Sequence, residues 1–104
     1  MSFLSPVQIK ALAREREPIR HAMDRLIERH FPGMSDDEAD SMIRMMTSFC
    51  TLRDKTGDRN TAKLVNIESE TSHIVDLDLF EDRELIRVCF DPVDCRIKTV
   101  LPKQ

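Results

Sequence analysis

The spacing of apolar residues changes once along this chain, near Gly57. Before that point apolar residues recur every three or four positions, which places them on one side of a helix. They form a stripe of Ala39, Met42, Ile43, Met46, Phe49 and Cys50. After that point they alternate with polar residues, as on one face of a strand, at Val75, Leu77, Leu79, Ile86, Val88 and Phe90. This order predicts an α+β fold in which helices precede a sheet.

Local signals divide the region before residue 34 into one interrupted helix or two helices. A helix start lies at 5–8, Ser-Pro-Val-Gln, where the serine can cap the helix and the proline can occupy the first turn. Pro18 kinks or ends the helix predicted over 6–17, because proline lacks the backbone donor and clashes with the preceding turn. The helical spacing resumes at Ile19 and stops at the Phe-Pro-Gly sequence of 31–33.

The clearest local signal is the start of the last helix, at Ser35. Glu38 follows three positions later, so the two can form a capping box, and the first turn is acidic, which suits the helix dipole. We expect this helix to run to about Asp54, with an exit at Gly57. In total, two to three helices are predicted before the sheet.

The second half of the chain is predicted to form a four-stranded sheet. Short turns separate the strands, so neighbouring strands run antiparallel in a meander. The predicted strands lie near 62–68, 73–80, 84–90 and 95–101. Together, the elements predict one α+β domain over 1–104, with a helical part at about 5–55 and a sheet part at about 61–102.

Composition places the chain among globular domains of the cytoplasm. Its 104 residues are 40% hydrophobic and 34% charged, and no apolar run approaches the ~20 residues of a membrane helix. No secretory signal is visible, and the cysteines Cys50, Cys89 and Cys95 show no paired spacing, so we expect reduced thiols. We expect no metal site and no cofactor. The net charge of −3 argues against nucleic acid as the main partner.

Basic residues on the second helix are the candidates for chemistry. His21, Arg25 and Arg29 are spaced four apart and share one helix face, so they could bind a phosphate and transfer a proton during RNA cleavage. Arg87 and Lys98 could add positive charge if their strands place them on the same side. The alternative is that these side chains pair with acidic neighbours, namely Asp24, Glu28, Asp76 and Asp78.

Three segments resemble a known family. They are 21–29, His-Ala-Met-Asp-Arg-Leu-Ile-Glu-Arg; 87–91, Arg-Val-Cys-Phe-Asp; and 97–102, Ile-Lys-Thr-Val-Leu-Pro. With the capped helix between them, they resemble the small ribonuclease-toxin fold of RelE and its relatives. The resemblance implies two helices before an antiparallel sheet. It also implies RNA cleavage by basic or histidine residues of helix and sheet, which would here be His21, Arg25, Arg29, Arg87 and Lys98.

The function that the sequence favours is different: a bacterial or phage-type domain that binds another protein, or a second copy of itself, without catalysis. A sheet that helices cover on one face should be polar on the other. Ile74, Phe80 and Leu85 instead alternate with the core-facing positions and place apolar side chains on the outer face. They are the predicted interface, and an RNA-cleaving enzyme of the RelE type is the alternative.

Overall fold

In the computed structural model, residues 19–57, 61–79 and 84–103 are described, and there two helices precede one four-stranded antiparallel sheet. Helix α1 covers 19–29, and helix α2 is Asp36–Thr56. The strands are β1 Ala62–Ser69, β2 Ser72–Leu77, β3 Ile86–Asp91 and β4 Arg96–Val100. The predicted α+β class and the order of its elements are confirmed. The helix predicted over 6–17 and the break at Pro18 lie outside the described residues.

Helix α2 begins and ends where its capping residues place it. The Ser35 hydroxyl accepts the Glu38 amide at 3.2 Å, and the Glu38 carboxylate accepts the Ser35 amide at 3.3 Å, so the predicted capping box is present. At the other end Gly57 adopts φ 75°, a left-handed conformation that glycine tolerates, and its amide donates to the Arg53 carbonyl at 2.8 Å. The helix therefore extends two residues beyond the predicted end at Asp54.

Removing the serine cap should destabilise the fold measurably. Ser35→Ala leaves the Glu38 amide without its acceptor, and we expect the free energy of unfolding to fall by ~0.5–2 kcal/mol in urea. Ser35→Asp keeps an acceptor at the same position and should retain most of that stability. Equal melting of the alanine and aspartate variants with the wild type would show that the cap contributes nothing.

The sheet is a meander with the strand order β1-β2-β3-β4, so β1 and β4 are its edges. Val75 on β2 lies opposite Val88 on β3, which lies opposite Val100 on β4. These three residues face the helices and are fully buried. Asp76 and Arg87 are the next opposed pair and lie on the other face of the sheet, which we call the outer face.

One hydrophobic core joins the two helices to the sheet. From α2 it takes the predicted stripe, with Phe49 only partly buried, and from α1 it takes Ala22, Met23 and Leu26. The sheet contributes its helix-facing side chains, namely Ala62, Val75, Leu77, Ile86, Val88, Phe90, Ile97 and Val100. The change in apolar spacing seen in the sequence thus marks the boundary between the two layers of the fold.

The strand boundaries differ from the prediction around the turns. β2 ends at Leu77 and β3 begins at Ile86, so Leu79 and Leu85 lie outside the strands in which they were placed. Phe80 lies outside the described residues. Cys95 has φ 53° and belongs to the turn before β4, so it does not begin that strand as predicted.

Candidate functional site

Two of the three basic residues on the predicted face of α1 make contacts within the fold. Arg25 forms an ion pair with Glu28 at 2.6 Å. Arg29 donates from Nη1 to the Val100 carbonyl at 2.8 Å, so this guanidinium holds the C-terminal end of β4. His21 is exposed on the same helix. Of the three residues, His21 is the one whose side chain shows no contact with the sheet or with an ion-pair partner among the described residues.

Arg87 and Lys98 do not join that face. Arg87 lies on the outer face, where its guanidinium makes two hydrogen bonds to the Asp76 carboxylate, at 2.7 and 3.0 Å. The hydrogen bond to Asp76 raises the pKa of Arg87 further, so its charge is permanent. Lys98 donates to the Ser72 hydroxyl at 2.8 Å, at the opposite end of the sheet from the Arg29 contact. The structure therefore separates the five residues instead of gathering them in one cleft.

The two described residues of the predicted interface, Ile74 and Leu85, differ in exposure. Ile74 does lie outside the core that joins sheet and helices, yet it is only 8% exposed. Its neighbours across the strands are Asn66 and Cys89. Leu85 is exposed, while Phe80 lies outside the described residues. Among the described residues of this predicted interface, Leu85 is therefore the one that a partner could contact directly.

The cysteines lie in three different environments. Cys50 is buried in the core, and Cys89 and Cys95 are half-buried. Cys89 lies opposite Thr99 on β4, and Cys95 sits in the turn before that strand. All three are free thiols, and no group of three or more potential metal ligands occurs in 19–57, 61–79 and 84–103.

Burial should make Cys50 unreactive. Desolvation in the core raises the pKa of its thiol to about 12, although the nearby Arg53 acts in the opposite direction. Because the thiolate is the reactive form, we expect iodoacetamide at neutral pH to label Cys89 and Cys95 but not Cys50. Mass spectrometry of digested protein measures this pattern, and labelling in denaturant is the control. Labelling of Cys50 in the native protein at the rate of Cys89 would contradict its buried position.

The two edges of the sheet differ, and the sequence did not reveal the difference. The β4 edge is covered near its end, where Arg29 bonds the Val100 carbonyl and the His30 ring donates from Nε2 to the Leu101 carbonyl at 2.9 Å. The β1 edge carries two exposed apolar side chains, Val65 at 45% and Ile67 at 58%. The predicted meander order did indicate that β1 is an edge strand, since the first strand of a meander has a neighbour on one side only.

A second exposed apolar surface lies on α2. Met45 is 43% exposed and Leu52 is 47% exposed, although both belong to a helix whose other side fills the core. Met45 fell outside the apolar stripe in the sequence, and its exposure agrees with that position. Two shallow grooves flank these residues, one lined by Met34, Asp37, Glu38, Ser41, Met42 and Met45, the other by Thr47, Ser48, Thr51, Leu52, Lys55 and Thr56.

No known family matches this sequence, and comparison with curated proteins and with solved structures finds no significant match. The resemblance to the RelE fold therefore stays a prediction. In the described part of the chain, neither helix has the length and apolar character needed to span a membrane.

Proposed function

We propose that this chain is a cytoplasmic protein-binding domain that pairs β1, whose outer edge no strand of the described residues occupies, with an extended segment of another protein. The observation that carries the proposal is the contrast between the two sheet edges. Arg29 and His30 cover carbonyl groups at the end of β4, whereas β1 presents Val65 and Ile67 to solvent over a strand of eight residues. Exposed edge strands with apolar side chains are templates for strand pairing.

The local shape of β1 favours a specific partner. The register between β1 and β2 is irregular at Val65 and again at Glu68. Such irregularities bend a strand and increase its twist, and they discourage indiscriminate growth of the sheet. A partner segment must therefore follow the twist of β1 and supply apolar side chains beside Val65 and Ile67. Main-chain hydrogen bonds would contribute affinity, and the side chains would contribute selectivity.

The separation of the basic residues supports binding over RNA cleavage. General acid–base chemistry on a phosphodiester requires its groups within hydrogen-bond reach of one substrate. Arg87 is paired with Asp76 on the outer face, and Arg29 is bonded to Val100 on the helix side of the sheet. The unpaired cysteines fit the reducing cytoplasm.

Peptide selection tests the edge-binding proposal directly. A displayed library of random unstructured peptides is selected against the full chain, and the affinity of a selected peptide is measured by fluorescence anisotropy. Ile67→Lys should weaken that affinity by about tenfold, because it removes an apolar contact and adds a charge at the paired edge. Val93→Lys is the matched control, since Val93 is a more exposed apolar residue in the turn before β4.

Affinity that Ile67→Lys leaves unchanged would contradict binding at β1, as would a selection that yields no binder. A parallel incubation with RNA tests the ribonuclease alternative. RNA cleavage that is lost in His21→Ala would favour that alternative over the protein-binding proposal.

A further inference from the structure

The outward side of α2 carries a regular line of residues that the core does not use. Its members, which we call the outer seam, are Glu38, Ser41, Met45, Ser48, Leu52 and Lys55. All six are exposed, and they are spaced alternately by three and four residues. Helices that pack lengthwise against one another use this spacing at their contact positions. The seam lies opposite the stripe through which α2 contacts the sheet.

We propose that the outer seam pairs with the outer seam of a second copy in antiparallel orientation. In that orientation the seam is complementary to itself in size and in charge. In two kinds of pair a large side chain lies against a small one: Met45 is opposite the partner's Ser48, and Leu52 is opposite the partner's Ser41. Opposite charges meet at the ends, with Glu38 opposite the partner's Lys55.

The grooves on α2 fit the same pairing. Met45, Ser41 and Glu38 line the first groove, and their opposed positions, Ser48, Leu52 and Lys55, all line the second. In antiparallel pairing the first groove of each copy therefore lies against the second groove of the other copy. Burial of Met45 and Leu52, each nearly half exposed in the single chain, supplies apolar contact in the middle of the seam.

This dimer does not depend on the proposed function. The outer seam lies on a helix surface that faces away from the sheet, whereas the proposed binding edge is β1. In a dimer with two-fold symmetry the same patch is buried on both copies, and this symmetry is the most common one among small assemblies. A dimer formed in this way leaves both β1 edges available.

Light scattering coupled to size exclusion, at micromolar concentration, measures the dimer. We expect the wild-type chain to dimerise and Met45→Glu to be a folded monomer, because the substitution places an unpaired carboxylate in the seam. Glutamate is a good helix former, so the exposed position should tolerate it in the single chain. Val93→Glu is the control for an acid added at an exposed apolar position, and it should remain dimeric.

Mixing two variants tests the orientation. Met45→Glu and Ser48→Lys should each raise the dissociation constant by about tenfold or more alone. Their mixture should form a heterodimer, because antiparallel pairing sets the new glutamate opposite the new lysine. A mixture that stays monomeric while the wild type dimerises would overturn the antiparallel seam, as would a dimer that Met45→Glu does not affect.

A monomeric wild type would overturn the proposal outright. If Met45→Glu then also lowered the melting temperature, the seam would be covered from within the chain. If Ile67→Lys abolished the dimer and Met45→Glu did not, self-association would occur through β1. That result would also overturn the proposal that the seam is the dimer contact. Peptide binding by β1 is measured separately, by anisotropy, and does not require the seam, so the two proposals fail separately.

Discussion

Met46→Ala should lower the free energy of unfolding by ~2–5 kcal/mol. Met46 lies in the middle of the α2 stripe and is fully buried between helix and sheet. Truncation removes three heavy atoms from contact with the core and leaves a cavity that rigid neighbours fill only in part. Urea unfolding monitored by far-ultraviolet circular dichroism measures the difference.

The adjacent methionine provides a matched control for this experiment. Met45 is the same residue type on the same helix, but it faces away from the sheet and is exposed. Met45→Ala should change stability by no more than ~0.5 kcal/mol, measured at a concentration low enough to keep the chain monomeric. Similar losses at both positions would mean that the orientation of α2 on the sheet differs from the one described.

Phe90→Ala should cost ~3–5 kcal/mol, the larger of the two effects. Phe90 has the largest side chain among the fully buried residues described, and it stands on β3, one of the two central strands, opposite His73 on β2 and Ile97 on β4. Few single domains of this size can lose that much stability and stay fully folded at 37 °C. Thermal and urea melting should therefore show a variant that is partly unfolded or close to it.

Val93→Ala is the comparison for Phe90→Ala. Val93 lies in the next turn and is the most exposed of the large apolar residues described, so its truncation should change stability by ~0.5 kcal/mol or less. A Phe90→Ala variant that melts as the Val93 variant does would place Phe90 outside the core and would contradict the register of β3.

Elements that depend on near neighbours in the chain were predictable. The α2 stripe, the Ser35 capping box and the exit at Gly57 each follow from residues within a few positions of one another, and each occurs in the structure. The alternation in β3 was equally readable, because a strand places successive side chains on opposite faces. Short turns between strands then implied an antiparallel meander.

The candidate site depended on relations between distant residues. The sequence offered Asp76 as an acidic partner for Arg87, but no local pattern places that pair on the outer face while Arg29 reaches Val100 from α1. Those contacts depend on the register of the strands and on the position of α1 against the core. Many residues that are distant in the sequence determine both together. The basic residues that looked like one set in the sequence are therefore divided by the sheet itself.

Local propensity and apolar spacing thus determine which segments of this chain become helices and strands, because those choices rest on interactions over a few residues. The packing of these elements against one another decides which of their side chains stay exposed to solvent. Burying one side of α2 exposes Met45 and Leu52, and the end of α1 covers the last carbonyl groups of β4, while Val65 and Ile67 on β1 remain exposed. Exposure is set by what the rest of the fold covers: the sequence left Met45 outside the core stripe, but only the tertiary structure shows that Val65 and Ile67 on β1 are exposed.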